Sequence, residues 1–279
     1  MCKFASEMNQ TINVRGRLVA LCQPQVMGIL NATPDSFYEG SRKQTEREIA
    51  ERALQIVAEG GSVIDVGAFS TRPGAVEVSE EEEQRRLRFA LEVVRRELPD
   101  AIVSVDTYRP VVARHCVEEW GADMVNDVSE GGLTGIVNTP LQEKLDMFQT
   151  IASLRVPYIL MSVRPTVREM LLAFAQEVQT LHGLGVKDII IDPGFGFGKT
   201  LEQNYQIMSE LDKLQVLDLP LLVGVSRKSM VYQLLGGNPS TALNGTTVLH
   251  TVALQKGAQI LRVHDVREAV ETIQIVSKL

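Results

Sequence analysis

The chain has 279 residues, of which 44% are apolar and 23% charged, with a formal net charge of −7. That balance supplies a substantial core and excludes extensive disorder, and the acidic excess argues against a general nucleic-acid binder, which carries a basic patch. No apolar run approaches the roughly 18 residues of a membrane span and the first fifteen residues lack a leader's basic and apolar regions, so no membrane partner and a cytoplasmic location are expected.

In chain order, Thr11–Val14 and Arg17–Leu21 flank Arg15-Gly16 and predict a hairpin, placed beneath the fold that follows. Solid apolar runs then recur every 20–40 residues or so: Val26–Leu30, Val63–Ile64, Ile102–Val105, Met124–Val125, Tyr158–Met161, Ile189–Ile191, Leu221–Val225 and Ile260–Val263. Solid runs mark strands buried on both faces of a parallel sheet. Amphipathic segments fill the gaps, for example at Glu46–Glu59, Glu80–Glu97, Val111–Trp120, Glu169–Leu181, Leu201–Leu214 and Thr247–Lys256. Ser79 followed by Glu82 matches a capping box, Pro110 suits a first helical turn, and Gly60-Gly61 and Gly121 suit helix exits. Eight strands alternating with helices predict an α/β fold, a (β/α)8 TIM barrel. Residues 1–279 read as one domain, with 1–23 an N-terminal extension and 24–279 the barrel. An open doubly wound sheet stays as the alternative, because periodicity does not show closure.

Seven of these runs stop on, or just before, a residue able to do chemistry: Asn31, Asp65, Asp106, Asn126, Asp192, Ser226-Arg227-Lys228 and His264. Ligands gather at the carboxyl ends of parallel strands, so these residues point to one shared pocket. The hydroxyl-rich loops Asn31–Phe37 and Ser70–Gly74 lie over it, the usual place for binding residues in a barrel. Asp35 and Asp65 each have two readings, as loop-ordering carboxylates or as members of the site.

Other features read as structural. Gly194–Thr200 ends like a phosphate-binding P-loop, but Pro193 stands where its first glycine is required. Lys199 is then a surface or loop charge. The acidic run Glu80–Glu83 reads as a solvated cap in a first helical turn. His115, His182 and His250 fall on helices or turns, and Cys2, Cys22 and Cys116 lack metal-ligand spacing.

The strings Met27–Phe37, Ser70–Gly74, Val105–Tyr108, Asn126–Ser129, Asp192–Lys199, Ser226–Ser229 and Arg262–Asp265 resemble dihydropteroate synthase, in the family's order from about residue 25 to 268. The resemblance implies a transferase of folate (tetrahydrofolate) biosynthesis. It would condense 6-hydroxymethyl-7,8-dihydropterin diphosphate with 4-aminobenzoate to 7,8-dihydropteroate, releasing diphosphate by an SN1-like displacement. It also implies Mg2+, a homodimer, and sulfonamides as inhibitors at the aminobenzoate pocket.

Departure of diphosphate leaves positive charge spread over the pterin, which calls for carboxylates near the ring and cations at the leaving group. Asp106 and Asp192 suit the first role, and Asn126 offers both donor and acceptor to the heterocycle. In the resembled family these positions and Lys228 line the pterin pocket, with Met161 and Phe197 against the ring. Arg262 and His264, two apart at a strand end, share one face and with Arg227 or Arg72 would hold diphosphate. Asp106, Lys228 and Arg262 are the candidate catalytic residues. The resemblance assigns Asn31 to a Mg2+ ion whose shell phosphate and water complete. It assigns the aminobenzoate to Thr33, Pro34, Phe37, Thr71, Arg72, Pro73, Phe197, Lys228 and Ser229.

The chain departs from the family pattern at Phe69 and Ser162, where Glu and His are usual, and at Arg164-Pro165, where a glycine is common. Two alternative functions follow: a methyltetrahydrofolate-binding methyltransferase barrel, which has no use for Arg262 and His264 at a diphosphate, and a non-catalytic pterin-binding paralogue.

Overall fold

The computed structural model describes residues 10–32, 42–68, 78–131 and 145–279. A hairpin of β1 (Thr11–Val14) and β2 (Arg17–Ala20) precedes β3 (Gln25–Asn31), α1 (Arg42–Ala58), β4 (Val63–Gly67), α2 (Glu80–Glu97), β5 (Ile102–Asp106), α3 (Pro110–Glu118) and β6 (Met124–Asp127). After them come α4 (Leu145–Leu154), β7 (Tyr158–Met161), α5 (Val167–Gly183), β8 (Ile189–Asp192), α6 (Leu201–Ser209), β9 (Leu222–Val223), α7 (Ser229–Leu234), α8 (Leu243–Gln255), β10 (Ile260–Val263) and α9 (Val266–Val276). Strands β3 to β10 pair in parallel in the order β8-β7-β6-β5-β4-β3-β10-β9. A bridge between Ile191 and Leu221 links the two ends of that row. The sheet is therefore a barrel, and the open-sheet alternative falls.

Strand alternation divides every run into two faces. Val26, Ile64, Val66, Val103, Val105, Val125, Leu160, Ile191, Val223 and Leu261 point outward and pack with the helices in the main core. Met27, Val63, Met124, Ile159, Ile190, Leu222 and Ile260 point inward and form a separate apolar floor. Ile12, Val14 and Leu21 of the hairpin region join that floor and plug the barrel from below. Complete burial of each such side chain contributes about 1.5–3 kcal/mol. Helix α1 approaches β3 closely because Gly28 has no side chain: a Cβ there would meet Ile56 Cγ2 at 2.6 Å.

Charge pins the plug in place. Asp123, at the start of β6, accepts from Arg15 Nη2 at 2.9 Å, Arg95 Nη2 at 2.6 Å and the Val103 amide at 2.8 Å. Arg15 occupies the left-handed region at φ 50° in the hairpin turn.

Helix α2 has the expected bounds, and the Ser79 side chain accepts from the Glu82 amide. Helices α1, α3, α5 and α8 differ from their sequence bounds by two to four residues at an end, or less. The segment expected at Leu201–Leu214 divides into α6 and a 3-10 turn at Leu211–Leu217. Helices α4, α7 and α9 follow β6, β9 and β10 and complete the expected alternation.

Candidate active site at the barrel mouth

Two residues above the apolar floor, the inward positions of five of the eight strands become polar. Ile29, Asp65, Ser104, Asn126, Met161, Asp192, Gly224 and Arg262 share the floor residues' parity, and Asn31, Gly67 and Asp106 lie one step higher. Register aligns them: Asp65 pairs with Ser104, Gly67 with Asp106, Asp106 with Asn126, and Met161 with Asp192. The strands thus bring Asn31, Asp106, Asn126, Met161, Asp192 and Arg262 to one mouth.

Arg262 organises this layer. Its Nε donates to Asp65 Oδ2 at 2.7 Å and its Nη2 to Asp106 Oδ2 at 2.7 Å. Asn126 Nδ2 donates to the same Asp65 oxygen at 3.1 Å. Asp65, with two readings from sequence, is fully buried and central. Burial pushes the Asp106 carboxyl up to about 7; Arg262 opposes the shift and Asp65 adds to it. For Arg262 burial acts downward, but Asp65 and Asp106 outweigh it and hold the guanidinium above its usual value. Three carboxylate and amide oxygens of this layer, Asp65 Oδ1, Asp106 Oδ1 and Asn126 Oδ1, and the Ser104 hydroxyl beside them, are buried without a hydrogen-bond partner among the described residues.

On the opposite wall Asp192 Oδ1 accepts from the Gly194 amide at 2.7 Å. Burial raises the Asp192 carboxyl, against the pull of Lys228. Lys228 Nζ donates to the Phe195 carbonyl at 2.5 Å and sits 4.6 Å from the centroid of the Phe197 ring. Its amine is lowered to about 8 by burial, with Asp192 opposing. Ser229 begins α7 beside it. His264 is half-buried past the end of β10, its amide bound to Ser226 Oγ at 3.1 Å and its carbonyl to Arg52 Nη2 at 2.7 Å.

Among the described residues no cluster of three or more His, Cys, Asp or Glu would hold a metal. Asn31 is exposed at the rim, and its Oδ1 and Asp106 Oδ2 lie 3.7 and 3.8 Å from where a Gly67 side chain would begin. An amide and a carboxylate across an uncluttered glycine fit an ion that brings its own phosphate ligands. Thr33, Pro34, Asp35, Phe37, Phe69, Thr71, Arg72 and Pro73 lie outside the described residues.

Three sequence readings are corrected. Arg227 is no free anion ligand: its Nε and Nη2 close on Asp265 at 2.8 Å and its Nη1 donates to the Pro239 carbonyl at 2.9 Å, so all three nitrogens are engaged. Glu83 is no solvated cap but fully buried, accepting from Thr107 Oγ1 at 2.6 Å and from Arg109. Helical spacing carried that signal, since Glu83 heads the buried stripe Leu87, Ala90, Leu91 and Val94. Lys199 lies in the loop after β8, in keeping with one half of its reading, but it is no solvated surface charge, since its Nζ donates to three backbone carbonyls. Nothing local in the sequence marks that role.

The chain was then compared with known proteins. The family profile described as "Pterin binding enzyme" matches residues 27–264. Dihydropteroate synthase of Escherichia coli (strain K12) is 35% identical over 277 residues, covering 94% of each chain. That of Streptococcus pyogenes serotype M18 is 37% identical over 274 residues, 95% of this chain and 98% of its own. Among solved structures, the Xanthomonas albilineans dihydropteroate synthase with 4-aminobenzoic acid aligns at TM-score 0.83 and 34% identity, covering 95% of this chain and 96% of that one. The Yersinia pestis enzyme, in a sulfonamide drug complex, aligns at TM-score 0.84 and 35% identity, covering 96% and 98%. A shared barrel, near-complete mutual coverage and the polar layer at its mouth agree: the chain belongs to the pterin-binding enzymes, as a member of the dihydropteroate synthase family.

Proposed function

We propose that this transferase condenses 6-hydroxymethyl-7,8-dihydropterin diphosphate with 4-aminobenzoate, giving 7,8-dihydropteroate and diphosphate. The observation that carries the reading is the trio of unpartnered buried acceptors on Asp65, Asp106 and Asn126. Buried acceptors are costly unless a ligand supplies donors, and an amino-pyrimidine edge does so.

The carbon–oxygen bond to diphosphate lengthens first, and its electron pair leaves with the diphosphate. The amine of 4-aminobenzoate then attacks the methylene and loses its proton. Asp106 and Asp192 place negative charge where positive charge develops on the ring, in a site whose burial strengthens the interaction. Asn126 orients the ring, Met161 and Phe197 bound it, and Lys228 donates to its carbonyl. Arg262 and His264 bring positive charge to the diphosphate. Mg2+, held by Asn31 and the diphosphate itself, would neutralise charge on the leaving group. Lys228, Ser229 and Phe197 hold the aminobenzoate with the segments Thr33–Phe37 and Thr71–Pro73.

Sulfonamides, as aminobenzoate mimics, are the expected inhibitors. A place in folate synthesis, a cytoplasmic location and a homodimer complete the reading. No helix among the described residues is long and apolar enough to cross a membrane.

The test is direct incubation with pterin diphosphate, 4-aminobenzoate and Mg2+, following diphosphate release and pteroate formation. Turnover that requires all three is expected. Pterin binding with no turnover would leave only the non-catalytic reading.

A further inference from the structure

A second polar network lies beside the Arg262 layer and ties three successive loops together. Glu130, after β6, is 2% exposed and sits in the left-handed region at φ 57°. Its carboxylate accepts from the Val163 amide at 2.7 Å and from Arg164 Nε and Nη2 at 2.8 Å each, both residues of the loop after β7. The Ser162 hydroxyl accepts from the Arg164 amide at 3.2 Å and lies 3.4 Å from the Glu130 carboxylate. The Ser162 carbonyl, in turn, accepts from Lys199 Nζ at 3.0 Å. The same ammonium holds the Gly194 carbonyl at 2.9 Å and the Phe197 carbonyl at 3.2 Å in the loop after β8.

Loop carbonyls have no strand or helix partner, so three satisfied by one ammonium are fixed relative to one another. The fixed segments carry a small apolar cluster of Val128, Met161 and Val163, with Phe197 packed against it. They also carry the Asp192 turn, where Gly194, at φ 65°, has no room for a Cβ beside the Ser162 carbonyl. Burial lowers the Lys199 amine to about 7 against the pull of Asp192, while Lys228 repels it and Glu130 attracts it, which places this cation inside the field of the site. Ser162 and Arg164 are positions where the chain departs from its resembled family, and Glu130 supplies their common partner.

We propose that Glu130, Arg164 and Lys199 are positioning residues for the pterin pocket. They lock the loops after β6, β7 and β8 so that the Val128, Met161, Val163 and Phe197 wall and the Asp192 turn, which Met161 packs against at Gly194, hold one fixed arrangement beside the pterin ring. The inference rests on the pterin-binding reading above.

Lys199→Met and Glu130→Gln, made in the full chain, separate this role from plain stability. Folding is checked by circular dichroism and a cooperative melt, and affinity for 6-hydroxymethylpterin is measured by calorimetry. Each folded variant is expected to bind the pterin about tenfold more weakly, with KM for 4-aminobenzoate changing by less. Adding Arg164→Met to Glu130→Gln removes the other half of the same pair and is expected to weaken pterin binding no further than Glu130→Gln alone. A folded variant with wild-type pterin affinity and a lowered melting temperature alone would overturn the proposal, as would additive losses in the double variant. Should Lys199→Met fail to fold, the Glu130→Gln pair decides. Failure of the unaltered chain to bind 6-hydroxymethylpterin would instead count against the pterin reading itself.

Discussion

Arg262 on β10 reaches across the barrel to Asp106 on β5, its Nη2 2.7 Å from Asp106 Oδ2, while its Nε holds Asp65 at the same distance. One cation thus seats two carboxylates in a layer where each is otherwise costly to bury. The same guanidinium is the charge proposed to meet the diphosphate.

Arg262→Ala should therefore fail in two ways. Diphosphate affinity, measured by calorimetry, is expected to fall. Stability of the unliganded chain should fall as well, by about 3 kcal/mol, because Asp65 and Asp106 lose their buried partner. Urea unfolding at pH 7.5 and 5.5 adds a sign. Without Arg262 the Asp106 carboxyl, already pushed up to about 7 by burial, rises further and is protonated at the lower pH. Its share of the loss is then smaller at pH 5.5, and a larger loss there would contradict the pairing.

Asp106→Asn keeps the shape of the pocket and removes the charge. If Asp106 stabilises positive charge that develops only as diphosphate leaves, kcat should fall about a hundredfold while KM for the pterin substrate changes less than threefold. In the unaltered chain, activity should rise with pH through about 7 as Asp106 ionises. That limb should be absent from the residual activity of the variant. A raised KM with an unchanged kcat would assign Asp106 to binding alone.

Much of this layer was legible because strand alternation is a strict rule. Asn31, Asp106, Asn126, Asp192 and Arg262 stand an even number of residues from the inward floor residues of their own strands, so each is committed to the lumen, whereas His264 lies past the end of β10, where alternation no longer holds. The same count includes Asp65, which the sequence left between two readings. Contacts between loops follow no such period. Arg227 finds Asp265 at 38 residues' distance, Lys199 finds Ser162 at 37, and Glu130 finds Arg164 at 34. Each is decided by how successive βα units close into a circle, which no local pattern encodes. Barrel closure itself needed the Ile191 to Leu221 bridge.

His250 offers a further test of stability against pH. It is buried in α8, its Nε2 has no hydrogen-bond partner among the described residues, and burial lowers its pKa to about 4 with Asp265 opposing. The unfolded chain takes up this proton near the ordinary value of about 6.5, while the folded chain resists it. The contribution is complete above about 6.5 and is lost as pH falls toward 4. Between pH 7.5 and 5 the loss is about 2 kcal/mol. His250→Leu should remove that part of the pH dependence in urea midpoints. An unchanged slope would show that the proton binds elsewhere.

Asp123 tests the opposite end of the barrel. Its carboxylate receives Arg15, Arg95 and the Val103 amide, so one side chain joins the hairpin plug, α2 and β5. Asp123→Ala strands a half-buried Arg95 and an unpaired strand amide, and an expected loss of about 3 kcal/mol follows from breaking such a pair. The floor residues stand between Asp123 and the polar layer, and the carboxyl-end face of a barrel carries the chemistry while the other face carries stability. KM for both substrates should accordingly stay within twofold at a temperature where the variant is folded. A kcat or KM change larger than that, in protein shown to be folded, would mean that the plug transmits to the mouth, and the division between the two ends of the barrel would fail.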